Sequence, residues 1–136
     1  MSFDTATNRI STSWDGTAYD VAGNMTASGG GGATYDAEKR ITQAVIGAAT
    51  VGQYAYDGHG RRIKSTSPVG GTTTTTWYLY DAQGRLLQEY TGAVNPPLFR
   101  TYYYRGSEMV ATTDTNNTWR FLAKDALGST RLISGR

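Results

Sequence analysis

Aspartates recur along this chain beside an aromatic residue, and these carboxylates are the first candidates for chemistry. The pairs are Phe3-Asp4, Tyr19-Asp20, Tyr35-Asp36, Tyr56-Asp57 and Tyr80-Asp81. Two carboxylates with separated pKa values could act as acid and base, and a row of them could hold calcium. Catalytic carboxylates, however, come as one tuned pair, not as the same position in repeat after repeat. A calcium loop presents several oxygen ligands at alternating positions, and each copy here offers one. The single histidine, His59, stands where other copies carry Ala22, Glu38 or Gln83. Without a cysteine or a second histidine it has no zinc partners, and no serine accompanies it in a triad context. The residues point to no enzyme, no metal and no cofactor.

The spacing around each aspartate gives another reading. Degenerate copies follow at Tyr104-Arg105 and Lys124-Asp125, so the seven copies lie 16, 16, 21, 24, 24 and 20 residues apart. Glycine stands three residues after the pair's second member at Gly23, Gly60, Gly84 and Gly128, and Asn8, Asn24, Arg40, Arg61 or Arg85 stands four after it. An aspartate accepts a hydrogen bond from the backbone N–H two residues on, which closes an Asx-turn. The glycine supplies the positive φ that reverses the chain. Before the turn, Tyr54 and Tyr56, Tyr78 and Tyr80, and Tyr102 and Tyr104 sit two apart, on one face of a strand. Each copy predicts strand, tight turn and strand, with Asp20, Gly23, Asp57, Gly60, Asp81, Gly84, Asp125 and Gly128 as the turn residues.

The elements that must carry these turns are strands. Hydrophobic content is 38% and charged content 18%, with 17 glycines and 10 tyrosines, a mixture suited to strands and turns. No window sustains a 3.6-residue period. At 136 residues the chain is long enough for one domain with a modest core of its own. A net charge of +2 without a basic cluster argues against nucleic acid, and the longest apolar run, residues 44–52, is too short to span a bilayer. No basic start followed by an apolar stretch marks a signal peptide. The glycine run 29–32 is expected as a flexible loop, the threonine run 72–76 as the start of a strand, and residues 92–99, with two prolines, as a connection or an edge.

The copies Tyr56-Asp57-x-x-Gly60-Arg61 and Tyr80-Asp81-x-x-Gly84-Arg85, closing on Gly128-Ser129-Thr130-Arg131, resemble the tyrosine–aspartate (YD) repeats of rearrangement-hotspot (RHS) proteins. The final run is similar to the signature near the end of RHS shells. The resemblance covers essentially the whole chain. It implies an all-β fold of consecutive antiparallel hairpins in one continuous curved or spiral sheet, with residues 1–136 a single array of about seven units. Such sheets close into hollow shells that carry a C-terminal toxin in bacterial proteins, and similar shells serve adhesion in teneurins. The expected role is a non-catalytic wall segment, or a self-associating scaffold, of a secreted or cell-surface protein. Seven hairpins are fewer than a full shell takes, and the chain stops before the aspartate-dependent self-cleavage motif that follows in many members.

The resemblance also carries a second reading, carbohydrate binding. Tyr54, Trp77, Tyr78, Tyr102 and Trp119 could stack on the C–H faces of sugars, with Arg61 and Arg85 as polar contacts. The competing reading is that the rings pack across strands and that the arginine stems, Arg62 included, cover them. A run of hairpins also leaves two terminal edges. These predict head-to-tail association of the chain with itself into a ring or a filament.

Overall fold

A computed structural model describes residues 3–11, 15–69, 71–125 and 129–135. Among them there is no helix. The strands are β1 (Phe3–Asp4), β2 (Arg9–Ile10), β3 (Ala18–Tyr19), β4 (Met25–Ser28), β5 (Gly31–Tyr35), β6 (Ile41–Ile46) and β7 (Ala49–Tyr56). They continue with β8 (Arg62–Val69), β9 (Thr72–Tyr80), β10 (Leu86–Thr91), β11 (Leu98–Arg105), β12 (Glu108–Asp114), β13 (Trp119–Lys124) and β14 (Thr130–Gly135). Strands β1 and β2 form a hairpin of their own, and β3 to β14 pair in chain order as a twelve-stranded sheet. The fold is therefore all-β, built of consecutive antiparallel hairpins. The longer strands draw on β-branched and aromatic residues, as in TTTTTWYLY of β9 and LFRTYYYR of β11.

The chain divides into two compact units, one of Met1–Ala55 with Ser65–Thr73 and one of Tyr56–Lys64 with Thr74–Arg136. In the first, β5 and β6 pair from Gly31↔Ile46 to Tyr35↔Ile41. In the second, β11 and β12 pair from Arg100↔Asp114 to Arg105↔Glu108. One step from the hairpin turn the register shifts between β5 and β6 and between β9 and β10. That is the mark of a three-residue loop whose last residue, Lys39 or Gly84, is left-handed and feeds a bulge.

Burial departs from the expected core. Ala111, at 3% exposure, is the buried hydrophobic residue among those described, and no large side chain is fully buried. Total exposure is 9121 Å², against roughly 6,900 Å² for a compact monomer of this mass. Where the described strands bury so little apolar surface, cross-strand pairs and ladder hydrogen bonds hold the hairpins.

The glycine run is also not a loop. Gly29 and Gly30, at φ 59° and 76°, form a two-residue turn, and Gly31 and Gly32 pair within β5. A two-residue turn of this hand needs positive φ at both central positions, which two glycines supply. The threonine run opens β9, and residues 92–97 connect β10 to β11.

Candidate functional site

Each YD turn is a small closed circuit. At the turn of residues 57–61, Asp57 Oδ1 accepts the N–H of His59 and of Arg61, both at 2.9 Å. The Asp57 carbonyl accepts the N–H of Gly60 at 3.0 Å, and the Asp57 N–H donates to the Arg61 carbonyl at 2.9 Å. Gly60 sits at φ 80°. The turn of residues 81–85 repeats the pattern: Asp81 Oδ1 accepts from Gln83 at 3.0 Å and Arg85 at 2.8 Å, with Gly84 at φ 81°. At residues 20–24, Asp20 Oδ1 accepts the Asn24 N–H at 2.8 Å and Gly23 lies at φ 87°. Asp125 Oδ1 accepts the N–H of Ser129 at 3.0 Å, while Gly128 lies outside the described residues. His59 is exposed in its turn, away from any metal-ligand cluster. Among the described residues no group of three or more His, Asp or Glu could hold a metal ion.

The residue four positions after the aspartate turns the circuit into a relay. Arg61 Nε donates to Asp57 Oδ2 at 2.7 Å, and its Nη1 donates to the carbonyl of Asp81, in the next repeat, at 3.2 Å. Its guanidinium also lies 5.5 Å from the centre of the Tyr80 ring. Arg85 does the same one repeat later. It pairs with Asp81 at 2.6 Å, donates to the Gly106 carbonyl and lies 5.1 Å from the Tyr104 ring centre. The tyrosines answer in the opposite direction. Tyr80 Oη donates to the Arg62 carbonyl and Tyr104 Oη to the Leu86 carbonyl, each at 3.0 Å. Tyr35 Oη likewise donates to the Met25 carbonyl at 2.8 Å. In all three the acceptor is the residue five positions after the aspartate of the preceding YD turn. Tyrosine, aspartate and arginine thus have separate tasks: tie backward, close the turn, reach forward.

The electrostatics follow this geometry. The Arg40 N–H, followed by its side chain, holds the Asp36 carboxyl below the ordinary carboxylate value against the opposing effect of burial. Burial is the largest influence on Asp57 and Asp81 and would raise them. Hydrogen bonds from the backbone and side chain of Arg61 and Arg85 outweigh it, so both are lowered. In Asp20 the Asn24 side chain is the main cause of the lowering. Burial pushes the Tyr80 and Tyr104 phenols up, and Tyr102 up to about 12.

Three turns escaped the sequence pattern or bent it. Asp114 builds the same circuit, accepting from Asn116 and Thr118 at 3.0 Å with Asn117 at φ 59° in the glycine place. Its preceding residue is Thr113, not an aromatic, so a search keyed to aromatic-Asp and glycine passes over it. The usable signal was asparagine, which tolerates the left-handed region. At Tyr104-Arg105 the turn is instead two residues, Gly106 and Ser107, and Arg105 pairs with Glu108 at 2.9 Å. In the copy at Asp36, Lys39 takes the left-handed position at φ 63°.

The candidate glycan contacts are divided by the pleat. In the second unit, the pairs Tyr78↔Glu89 and Glu89↔Arg100 put Tyr78 on one face, and Tyr102 joins it there by donating to Glu89 Oε1 at 2.9 Å. The opposite face carries Trp77, Leu79, Tyr103, Trp119 and Phe121. The rings have neighbours already. Arg62 lies 5.3 Å from the Tyr78 ring centre and Lys64 4.8 Å from that of Trp77, whose Nε1 donates to the Gly92 carbonyl at 3.1 Å. Trp119 stacks between Tyr103 at 4.9 Å and Phe121 at 5.8 Å. In the first unit, Tyr54 lies over Gly52, where a side chain would collide with its hydroxyl. Arg61 and Arg85 are committed to their turns.

Comparison with known proteins agrees with this architecture. Residues 56–94, which contain both complete Tyr-Asp-x-x-Gly-Arg copies, match the RHS Repeat family. No curated protein matches the chain. Among solved structures, it is similar to a chain of the Photorhabdus luminescens Tc holotoxin pore. The TM-score is 0.57 and the identity 16%, covering 86% of this chain and 6% of that one. At that identity the likeness concerns the fold, and this chain spans a small part of the other's length. The turn circuits at residues 57–61 and 81–85, with their forward-reaching arginines, thus fall inside the stretch of the chain that matches the RHS Repeat family.

Proposed function

We propose that this chain is a non-catalytic wall segment of an encapsulating shell, of the kind that surrounds a toxin carried by the same polypeptide. The observation that carries the reading is the relay: Arg61 is bonded to Asp57 in its own turn and to the Asp81 carbonyl in the next. The device joins one hairpin to the next at Arg61 and Arg85, and its polar groups are used in the joining. That use of the carboxylates supports a structural role rather than acid–base work. The implied partners are the rest of the shell and its C-terminal cargo, and the implied location is outside the producing cell. Among the described residues no helix is long and apolar enough to cross a membrane. Electron microscopy of the complete polypeptide to which the segment belongs tests the proposal. Hollow particles that shield their cargo from protease are expected, and solid particles or exposed cargo overturn it.

A second reading, adhesion through carbohydrate, draws on Phe121 and Tyr103, left 49% and 38% exposed beside Trp119. A glycan array separates the two. Saturable binding that is lost in Phe121→Ala, with the fold kept, would favour adhesion.

A further inference from the structure

We infer that Arg9 docks the β1–β2 hairpin onto the YD turn of residues 20–24, with Gly23 as the seat for its guanidinium. Among the described residues β1 and β2 pair with each other and lie outside the twelve-stranded sheet. Their ladder is two residue pairs, Phe3↔Ile10 and Asp4↔Arg9. A lone two-stranded hairpin is marginally stable in water, so one this short needs something to hold it. Arg9 supplies the hold. Its Cζ lies 5.2 Å from the centre of the Tyr19 ring. It also lies so close over Gly23 that a Cβ there would meet its Nη2 and stand 3.0 Å from its Cζ. Asp4, Arg9, Tyr19 and Asp20 line one polar cleft. A guanidinium is flat and weakly hydrated, which suits a ring face beside a stretch of bare backbone.

Arg61 uses the same seat on the turn of residues 81–85. It lies 5.5 Å from the Tyr80 ring centre, with its Cδ and Nη1 3.8 and 3.9 Å from where a Cβ on Gly84 would be. Arg61 stands four residues after its aspartate and Arg9 five, and the first turn explains the difference. The Asn8 N–H donates to the carbonyl of Asp4, four residues back, at 2.8 Å, whereas the Gly60 N–H reaches three residues back to Asp57. The longer turn moves the arginine one place on. The copy at residues 20–24 is the counter-case. It has Asn24 in the arginine place, with Nδ2 donating to Asp20 Oδ2 at 2.8 Å, and the following turn carries Lys39 in the glycine place at φ 63°. A left-handed position is thus open to a side chain where asparagine replaces the arriving arginine, and it is glycine where Arg9 or Arg61 arrives.

Amide hydrogen exchange on the 136-residue chain tests the docking. In the wild type the Asn8 N–H should be protected. Arg9→Ala should remove that protection while the amides of β5 and β6 keep theirs. Gly23→Ala should do the same, because its methyl group displaces the guanidinium. The two changes together should release the hairpin no further than either alone, since both break one contact. Gly30→Ala is the control for backbone strain. Gly30 has a φ of 76° and open space where a Cβ would go, so this variant should leave Asn8 protected. An unprotected Asn8 in the wild type, or protection that survives Arg9→Ala, would overturn the docking. So would a Gly30→Ala variant that frees the hairpin as Gly23→Ala does, or a loss that extends equally to β5 and β6. None of these outcomes touches the wall reading, which stands or falls on the imaging of the complete polypeptide.

Discussion

At the scale of single residues, each YD turn depends on one left-handed position and one carboxylate. Gly84 sits at φ 81°, so Gly84→Val forces a β-branched residue into a conformation it rarely adopts. The expected cost is about 1–3 kcal/mol, read as a fall in denaturation midpoint. Gly58 is the control. It lacks a left-handed φ and has open space where a Cβ would go, so Gly58→Ala should stay within about 0.5 kcal/mol of wild type. Lys39 offers the reverse experiment: at φ 63°, Lys39→Gly should stabilise by up to about 1 kcal/mol. The aspartates set a pH dependence whose sign is fixed. The carboxyls of Asp20, Asp36, Asp57, Asp81 and Asp114 all lie below their ordinary 3.8 in the folded chain. The unfolded chain therefore takes up protons first as pH falls. Their stabilisation should be complete above 3.8 and drain away as pH drops below it toward the folded values. Melting temperature followed from pH 7 to pH 2 should be flat and then fall. A fall already complete at pH 5 would assign it to other groups.

At the scale of elements, the relay predicts which contacts hold neighbouring hairpins together. Tyr104→Phe removes one hydroxyl bond to the Leu86 carbonyl and should cost about 1 kcal/mol. Arg61→Lys keeps the charge but loses the fork that reaches both Asp57 and the Asp81 carbonyl. Hydrogen exchange should then speed up at the turn of residues 81–85, a full repeat away, as well as at 57–61. Exchange that changes at residues 57–61 alone would mean that the arginine serves its own turn only.

Much of this scale was legible in the sequence. A carboxylate at fixed distance from glycine is a local device, and local devices can be read one hairpin at a time. Asp114 escaped because asparagine and threonine stand where glycine and an aromatic were sought. The glycine run was misread because composition alone does not show that Gly29 and Gly30 sit between strands in register. The forward reach of Arg61 and Arg85 was not legible at all. It joins residues 20 and 21 apart, and that distance depends on loop lengths that vary from copy to copy. Which aromatics share a face was hidden by the bulges, since each register shift changes the count of residues between neighbours.

At the scale of the whole molecule, the small amount of buried apolar surface should show in how the chain unfolds. The heat-capacity change on unfolding follows the apolar area that becomes exposed. A typical chain of 136 residues would give about 1.6–2.0 kcal/mol/K at 12–15 cal/mol/K per residue. This chain already exposes 9121 Å² when folded, against roughly 6,900 Å² for a compact monomer and about 21,000 Å² unfolded. The area left to expose is therefore about one-sixth less than usual. Calorimetry should give a heat-capacity change of about 1.4–1.7 kcal/mol/K, about one-sixth below the ordinary value. Cooperativity should be reduced as well, because hairpins that contact mainly their neighbours can open in stages. The enthalpy from the shape of the transition should then fall short of the enthalpy from its area. A single sharp transition with equal enthalpies, and a heat-capacity change in the ordinary range, would show that the isolated chain buries far more apolar surface than its sheet does here.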